Sequence, residues 1–263
     1  MHVFDRDICL KQVKPFEYNT TVSGGWSISN IPNGGYLLAL MTQAMAQNSD
    51  KQGTPILTVN YLSRIEPGDA RVLVEEINRS GQFTRLQARL LQGGKEKLRA
   101  MGTFAVETGE CFIKRYEKGP PDISPLADCV AIPEMPTFTL YNQMDERLDP
   151  ACAGWMLGQL SDRSENKGWI TFKDSRPFDL ASVAMIADAF PPPVFASQGM
   201  VAWVPTVELS VNIRNIPKTR WLKGVFRTRF INCGLLEADG ELWDENNELA
   251  AISRQIAQFR KVQ

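Results

Sequence analysis

A single histidine, His2, stands in this chain of 263 residues, and that scarcity limits the chemistry before any motif is weighed. His2 sits at a terminus expected to fray. Ser-His-Asp and Cys-His hydrolysis, histidine-ligated zinc and Asp–His acid/base pairs all require a histidine inside the fold. Catalysis would have to run on carboxylates, hydroxyls, amides, lysine, cysteine or backbone dipoles. Three residues offer such groups among apolar neighbours: Asp188 in Met-Ile-Ala-Asp-Ala-Phe190, Thr206 after Pro205, and Gln255 late in the chain.

These three stand out because the second half of the sequence repeats the first. Residues 55–67 (PILTVNYLSRIEP) reappear as residues 205–217 (PTVELSVNIRNIP), with both prolines and Arg64/Arg214 in register. Leu57, Val59 and Tyr61 alternate as Val207, Leu209 and Val211 do. Set copy against copy, Asp188 falls opposite Leu38, Thr206 opposite Ile56 and Gln255 opposite Gly102. Each polar residue has alternatives. Asp188 could face solvent near a helix end, although a carboxylate there opposes the macrodipole. Gln255 shares the face of Leu249, Ala251, Ser253, Ala257 and Phe259, where an amide needs partners from backbone or ligand. The alternation puts Thr206 with Glu208, Ser210 and Asn212, away from the apolar face, and Pro205 makes that phase unreliable.

The elements that must position these residues follow from periodicity. Residues 15–29 read as two short strands about a Ser-Gly-Gly turn. Asn33-Gly34-Gly35 then opens a helix over 36–47 that is apolar around nearly its whole circumference, as a buried helix must be. Strands are expected at 54–66, 70–80, 83–92 and 96–107, separated by glycine turns. In the second half a strand at 168–173 precedes Asp179, an N-cap for a helix over 180–190 that Pro191-Pro-Pro193 stops. Strands at 203–214, 219–232, 234–243 and 248–260 complete the second meander. Strand, strand, helix and antiparallel meander is the order of a hotdog fold, here a double hotdog of class α+β. Units are expected at 1–110 and 138–263, joined by a proline-rich linker over 111–137.

Composition excludes several partners. A net charge of −1 without a basic run argues against nucleic acid. Five scattered cysteines without CxxC spacing suit neither a disulfide framework nor zinc, and point to a reducing cytoplasm. No run approaches a membrane span. Nothing in the sequence calls for a metal or cofactor.

Asp188 in MIADAF, Thr206 in PTVELS and Gln255 in LAAISRQ, with Asn33-Gly-Gly-Tyr36 and Ile65-Glu-Pro-Gly-Asp69, resemble the acyl-CoA thioesterase II family of double-hotdog enzymes. The resemblance covers most of residues 15–107 and 166–260. It implies that Asp188, Thr206 and Gln255 bind and activate a water for acyl-CoA hydrolysis. It also implies association as a homodimer or higher homo-oligomer. Where the family often carries Asp-His-Ser after the threonine, this chain has Val207-Glu-Leu-Ser210. Backbone N–H groups of Gly34, Gly35 and Tyr36, at a glycine-rich helix N-terminus, are expected to bind the oxyanion and substrate. A hotdog dehydratase is disfavoured because its Asp needs a His. The alternative is a non-catalytic acyl-CoA or lipid-binding protein of the same fold.

Overall fold

The computed structural model describes residues 1–107 and 113–261. Cys111 and the first residues assigned to the linker lie outside that range. After a short helix, α1 (Val3–Asp7), the first unit runs β1 (Lys11–Lys14), β2 (Glu17–Val22), α2 (Gly34–Ala46), β3 (Ile56–Tyr61), β4 (Gly68–Arg79), β5 (Phe83–Gln92) and β6 (Lys95–Ala105). Residues 113–143 include β7 (Val130–Ala131) and α3 (Leu140–Gln143). The second unit runs β8 (Met144–Leu148), β9 (Glu165–Phe172), α4 (Leu180–Ile186), β10 (Thr206–Ile213), β11 (Leu222–Arg227), β12 (Leu235–Asp244) and β13 (Leu249–Gln258).

Among the described residues these strands form one antiparallel sheet of fourteen strands, in the order β1-β2-β4-β5-β6-β3-β10-β13-β12-β11-β9-β8-β7, with Ile231–Asn232 beside β12. Each half of that order is one hotdog sheet. The join is β3 against β10, the two repeated segments themselves. Val59 lies opposite Leu209 and Leu57 opposite Val211. Val59 and Leu209 are also equivalent positions of the repeat, so the pseudo-twofold axis passes between them.

Helix α2 is buried along nearly its whole length, with Tyr36, Leu38, Leu40, Met41, Ala44 and Met45 at 0% exposure. Its uniform apolarity is therefore a core signature, each large side chain adding roughly 1.5–3 kcal/mol of burial. Asn33 caps it by accepting the Tyr36 N–H at 3.0 Å. A capping box of Asp179 and Ser182 starts α4, as Asp179 at that position predicts.

The strand, Ser-Gly-Gly turn and second strand expected over 15–29 are present as β2 and Ser27–Ile28, with β2 lying between β1 and β4 and Ser27–Ile28 pairing with Ile31–Pro32. Three expectations need correction. Helix α4 ends at Ile186, well before the prolines, because a tight turn over 187–189 takes the chain out of the helix, with Asp188 N–H and Ala189 N–H donating to Met185 and Ile186 carbonyls. His2 is not frayed: its ring caps α1 through the Phe4 N–H, contacts Asp174 and packs edge-on against Phe172. Both ring nitrogens are thereby committed. The linker is also not wholly outside the sheets, since β7 pairs with β8 through Val130 and Ala131.

Candidate functional site

The first glycines of α2 and the end of α4 meet without intervening side chains. A Cβ on Gly35 would lie 2.2 Å from the Met185 carbonyl oxygen, so only glycine allows this approach. The closeness brings the Gly35 N–H to 2.9 Å from Asp188 Oδ2, to which it donates. Asn33 adds a second tie. Its Nδ2 donates to the Asp188 carbonyl at 2.9 Å and, at 3.4 Å, to Oδ2. Oδ1 accepts no hydrogen bond among the described residues.

Two influences compete at this carboxyl. Burial favours the neutral acid and is the larger, lifting the pKa to about 7. The Gly35 N–H and the Asn33 amide favour the carboxylate, helped by the positive end of the α2 dipole. Near neutral pH Asp188 is thus about half ionised, the condition a general base needs.

Thr206 reaches the inward face through a bulge. Thr206 lies opposite Ala257 and Glu208 opposite Ile256, so two residues of β10 meet one step of β13. That extra residue puts Thr206 on the side of Leu209 and Val211, and resolves the phase conflict read from the sequence. Thr206 Oγ1 then donates to Gln255 Oε1 at 2.7 Å, leaving the Gln255 amide N–H groups free to donate. The ladder also corrects one repeat pairing. Gln255 lies opposite Leu209 as Ala100 lies opposite Val59, so its counterpart is Ala100 and not Gly102. Counted from the helix starts, Asp188 similarly falls level with Thr42, not Leu38.

Sequence reasoning treated Tyr61 only as an apolar position. Its hydroxyl donates to the Gly34 carbonyl at 2.7 Å. A Cβ on Gly34 would come within 2.7 Å of Asp188 Oδ2 and 2.9 Å of Tyr61 Oη, so these two side chains crowd the same spot. Burial, then the charge of Asp188, holds the Tyr61 pKa well above the ordinary phenol range. With Asn60 opposite Glu208, the ladder places Tyr61 beside the bulged end of β10 that carries Thr206. Tyr61 thus belongs to the Asp188 cluster and lies on the strand that borders β10, while the cluster and the Thr206–Gln255 pair share no hydrogen bond among the described residues. The available signal was a tyrosine at the repeat position held by Val211, since a buried phenol must find a partner.

The expected oxyanion donors are only partly available. Gly35 N–H is given to Asp188, and Tyr36 N–H to the Asn33 cap. The Tyr36 side chain is fully buried, its hydroxyl donating to the Asp7 carbonyl at 2.7 Å and accepting from Ser23 N–H. Gly34 N–H alone is uncommitted among the described residues. In α4 the capping box commits the Ser182 N–H to Asp179 and the Asp179 N–H to Ser182. No three His, Cys, Asp or Glu among the described residues are grouped to hold a metal ion. Cys152 is buried and its thiol is pushed up to about 11. Exposed Cys233 sits in a turn with φ 49°. No described helix is long and apolar enough to cross a membrane.

Comparison with known proteins agrees with this layout. A family model for the acyl-CoA thioesterase N-terminal domain matches residues 22–105, and one for the C-terminal domain matches residues 126–259. The chain superposes with TM-score 0.91 on a protein from Thermobifida fusca named as a thioesterase II, at 24% identity over 99% of this chain and 98% of that one. An acyl-CoA thioesterase II from Mycobacterium marinum superposes with TM-score 0.79 at 16% identity, over 99% of both chains. A thioesterase-like protein, TwmA, from Talaromyces wortmannii is 32% identical over 87 residues, which is 32% of this chain and 25% of that protein. The matched stretch thus spans about a quarter of that relative's length. The structural likenesses, all under 25% identity, establish the double hotdog fold, and the two adjoining family models cover both of its units. The chain belongs to the acyl-CoA thioesterase family.

Proposed function

We propose that this protein hydrolyses an acyl-CoA thioester to the free acid and CoA, with Asp188, Thr206 and Gln255 handling the attacking water. The observation that carries the reading is Asp188. It is a carboxyl poised near neutrality, with Oδ2 fixed by Gly35 and Asn33 and Oδ1 left to accept from a water. Asp188 takes a proton as the water oxygen bonds to the thioester carbon. The Thr206–Gln255 pair supports orientation, Gln255 presenting amide N–H donors. The developing oxyanion would be met by the Gly34 N–H at the positive end of α2 and by Gln255. Collapse breaks the C–S bond, and the proton on Asp188 passes to the departing CoA sulfur.

The test is a thiol-release assay over acyl-CoAs of graded length, with aromatic acyl groups included, on the wild type and on Asp188→Asn. Turnover that survives intact in a normally folded Asp188→Asn protein would remove Asp188 from this role. Absence of thiol release from every ester by the wild type, together with tight binding of an ester, would favour the acyl-CoA-binding alternative.

A further inference from the structure

Three loops meet at one end of the second unit, and their backbones close a ring. The turn Gly154–Leu157 runs into residues 158–164. There Ser161 N–H donates to the Ala196 carbonyl at 2.7 Å, and the Ser164 and Ser197 hydroxyls bond at 2.6 Å. Past the short helix Val194–Gln198, Ala202–Trp203 pairs with Arg260–Lys261. Phe259 N–H donates to the Gly234 carbonyl in the hairpin that sets Ile231 against Leu236. Thr228 N–H, before that hairpin, returns to the Ser164 carbonyl at 2.9 Å.

Large apolar side chains on this ring stand in water. Leu157 is 83% exposed, and Leu160, Met200 and Val201 are at least half exposed. The hairpin adds Phe230 at 71%, with Ile231 and Leu235. The first two loops also touch, since a Cβ on Gly199 would lie 3.5 Å from Leu160 and 3.8 Å from Val201. Lone exposed apolar residues are ordinary, but seven on one ring are not. At roughly 150–200 Å² for a large side chain, they expose on the order of 700 Å², close to the ~800 Å² that each partner gives a standard interface. Beneath the ring Val194, Leu236 and Ala257 form a small cluster separate from the main core. Ala257 is the residue opposite Thr206.

Charge favours a second copy as the occupant. Between Asp188 and Glu208 the chain has no charged residue, so two copies can meet there without repulsion. Exposed Asp162 and Arg163 adjoin at the margin. A twofold contact sets the same margin of each copy against the other, where an acid beside a base answers itself. An anionic lipid surface calls instead for clustered lysines and arginines, and Arg229 here is held by Asp239.

We propose that two copies of this chain join through this ring, and that the contact braces the uncharged segment running from Asp188 to Thr206 and raises turnover. The segment has a candidate catalytic residue at each end and only a small cluster beneath it, the condition in which local opening is easiest. The rise in turnover rests on the acyl-CoA reading above; the contact between copies does not.

Sedimentation velocity on the full chain between roughly 1 and 100 μM should find a dimer. Leu157→Glu and Phe230→Glu alter side chains already in water, so an unchanged circular dichroism spectrum is expected and checks folding. Each should raise the dimer dissociation constant about tenfold or more. Each should also lower thiol release per chain when dilute, and regain it as the variant is concentrated. A wild type that stays monomeric over this range, or that pellets as a monomer with anionic vesicles, would overturn the contact. A dimer that neither variant weakens would overturn this face. Dissociated variants with wild-type turnover would overturn the bracing. A dimer that the variants dissociate, with no thiol release from any ester, would overturn the acyl-CoA reading and leave the contact standing.

Discussion

The Gly35 N–H donates to Asp188 Oδ2 at 2.9 Å, and this single bond joins the N-terminus of the first unit's central helix to the turn that ends the second unit's helix. It stabilises the carboxylate that burial disfavours. It also commits a donor that a glycine-rich helix start would otherwise offer to an oxyanion.

The balance at Asp188 predicts two pH responses. Activity that needs the carboxylate should rise as pH passes through about 7 and level off above it. Asp188→Asn should lower kcat roughly 10²- to 10⁴-fold and abolish that limb of the profile.

Stability should run the other way. An ordinary aspartate ionises near pH 4 in the unfolded chain, whereas folded Asp188 holds its proton to about 7. Its contribution is therefore fully present below about pH 4 and is lost as pH rises through 7, by no more than ~4 kcal/mol. Denaturant titrations of the wild type and Asp188→Asn across this range should diverge accordingly, the variant lacking the decline.

The two glycines should respond differently to alanine. At Gly35 the new Cβ meets a backbone carbonyl at 2.2 Å, and α2 must move away from α4. A loss of several kcal/mol is expected, with a lower melting temperature and poor recovery of folded protein. At Gly34 the obstacles are the ends of two side chains, Asp188 and Tyr61. Gly34→Ala should fold and lose most of its activity, because those groups can swing aside only by leaving the site.

Tyr61→Phe removes the hydrogen bond to the Gly34 carbonyl and nothing larger. A stability loss of about 0.5–1.5 kcal/mol is expected, with a drop in kcat exceeding any change in KM. Wild-type kinetics in that variant would make Tyr61 a packing residue only.

Thr206→Val and Gln255→Leu test the pair across the bulge. Each should lower activity by roughly tenfold or more, and the double variant should lose less than the product of the two effects, because the residues share one hydrogen bond. Strict additivity would mean that they act independently.

Much of this protein is legible in the order of its residues. The repeat, the two helices, both meanders and the Asp179 cap follow from periodicity and turn chemistry, which are local properties that each segment carries wherever it lies. Asp188, Thr206 and Gln255 could be singled out because a polar group in an apolar setting is visible in one dimension. Strand β8 was missed, since five residues with a glutamate at the centre give too short an alternation to read.

What only the tertiary structure decided are relations between segments distant in sequence. The bulge that turns Thr206 inward depends on its register with β13, and a one-residue shift reverses every side chain in a strand. The end of α4 at Ile186 depends on the close approach of Gly35, which holds the turn that presents Asp188. Tyr61 becomes notable only once the partners around it are known, because satisfaction of a hydrogen bond is a property of the packed core and not of the chain. The sequence determined that the two halves share a fold and differ in polarity. Packing decided that Gly34, Gly35 and Tyr61 of the first half stand with Asp188 of the second, since backbones can approach to hydrogen-bond distance only where both helices leave room.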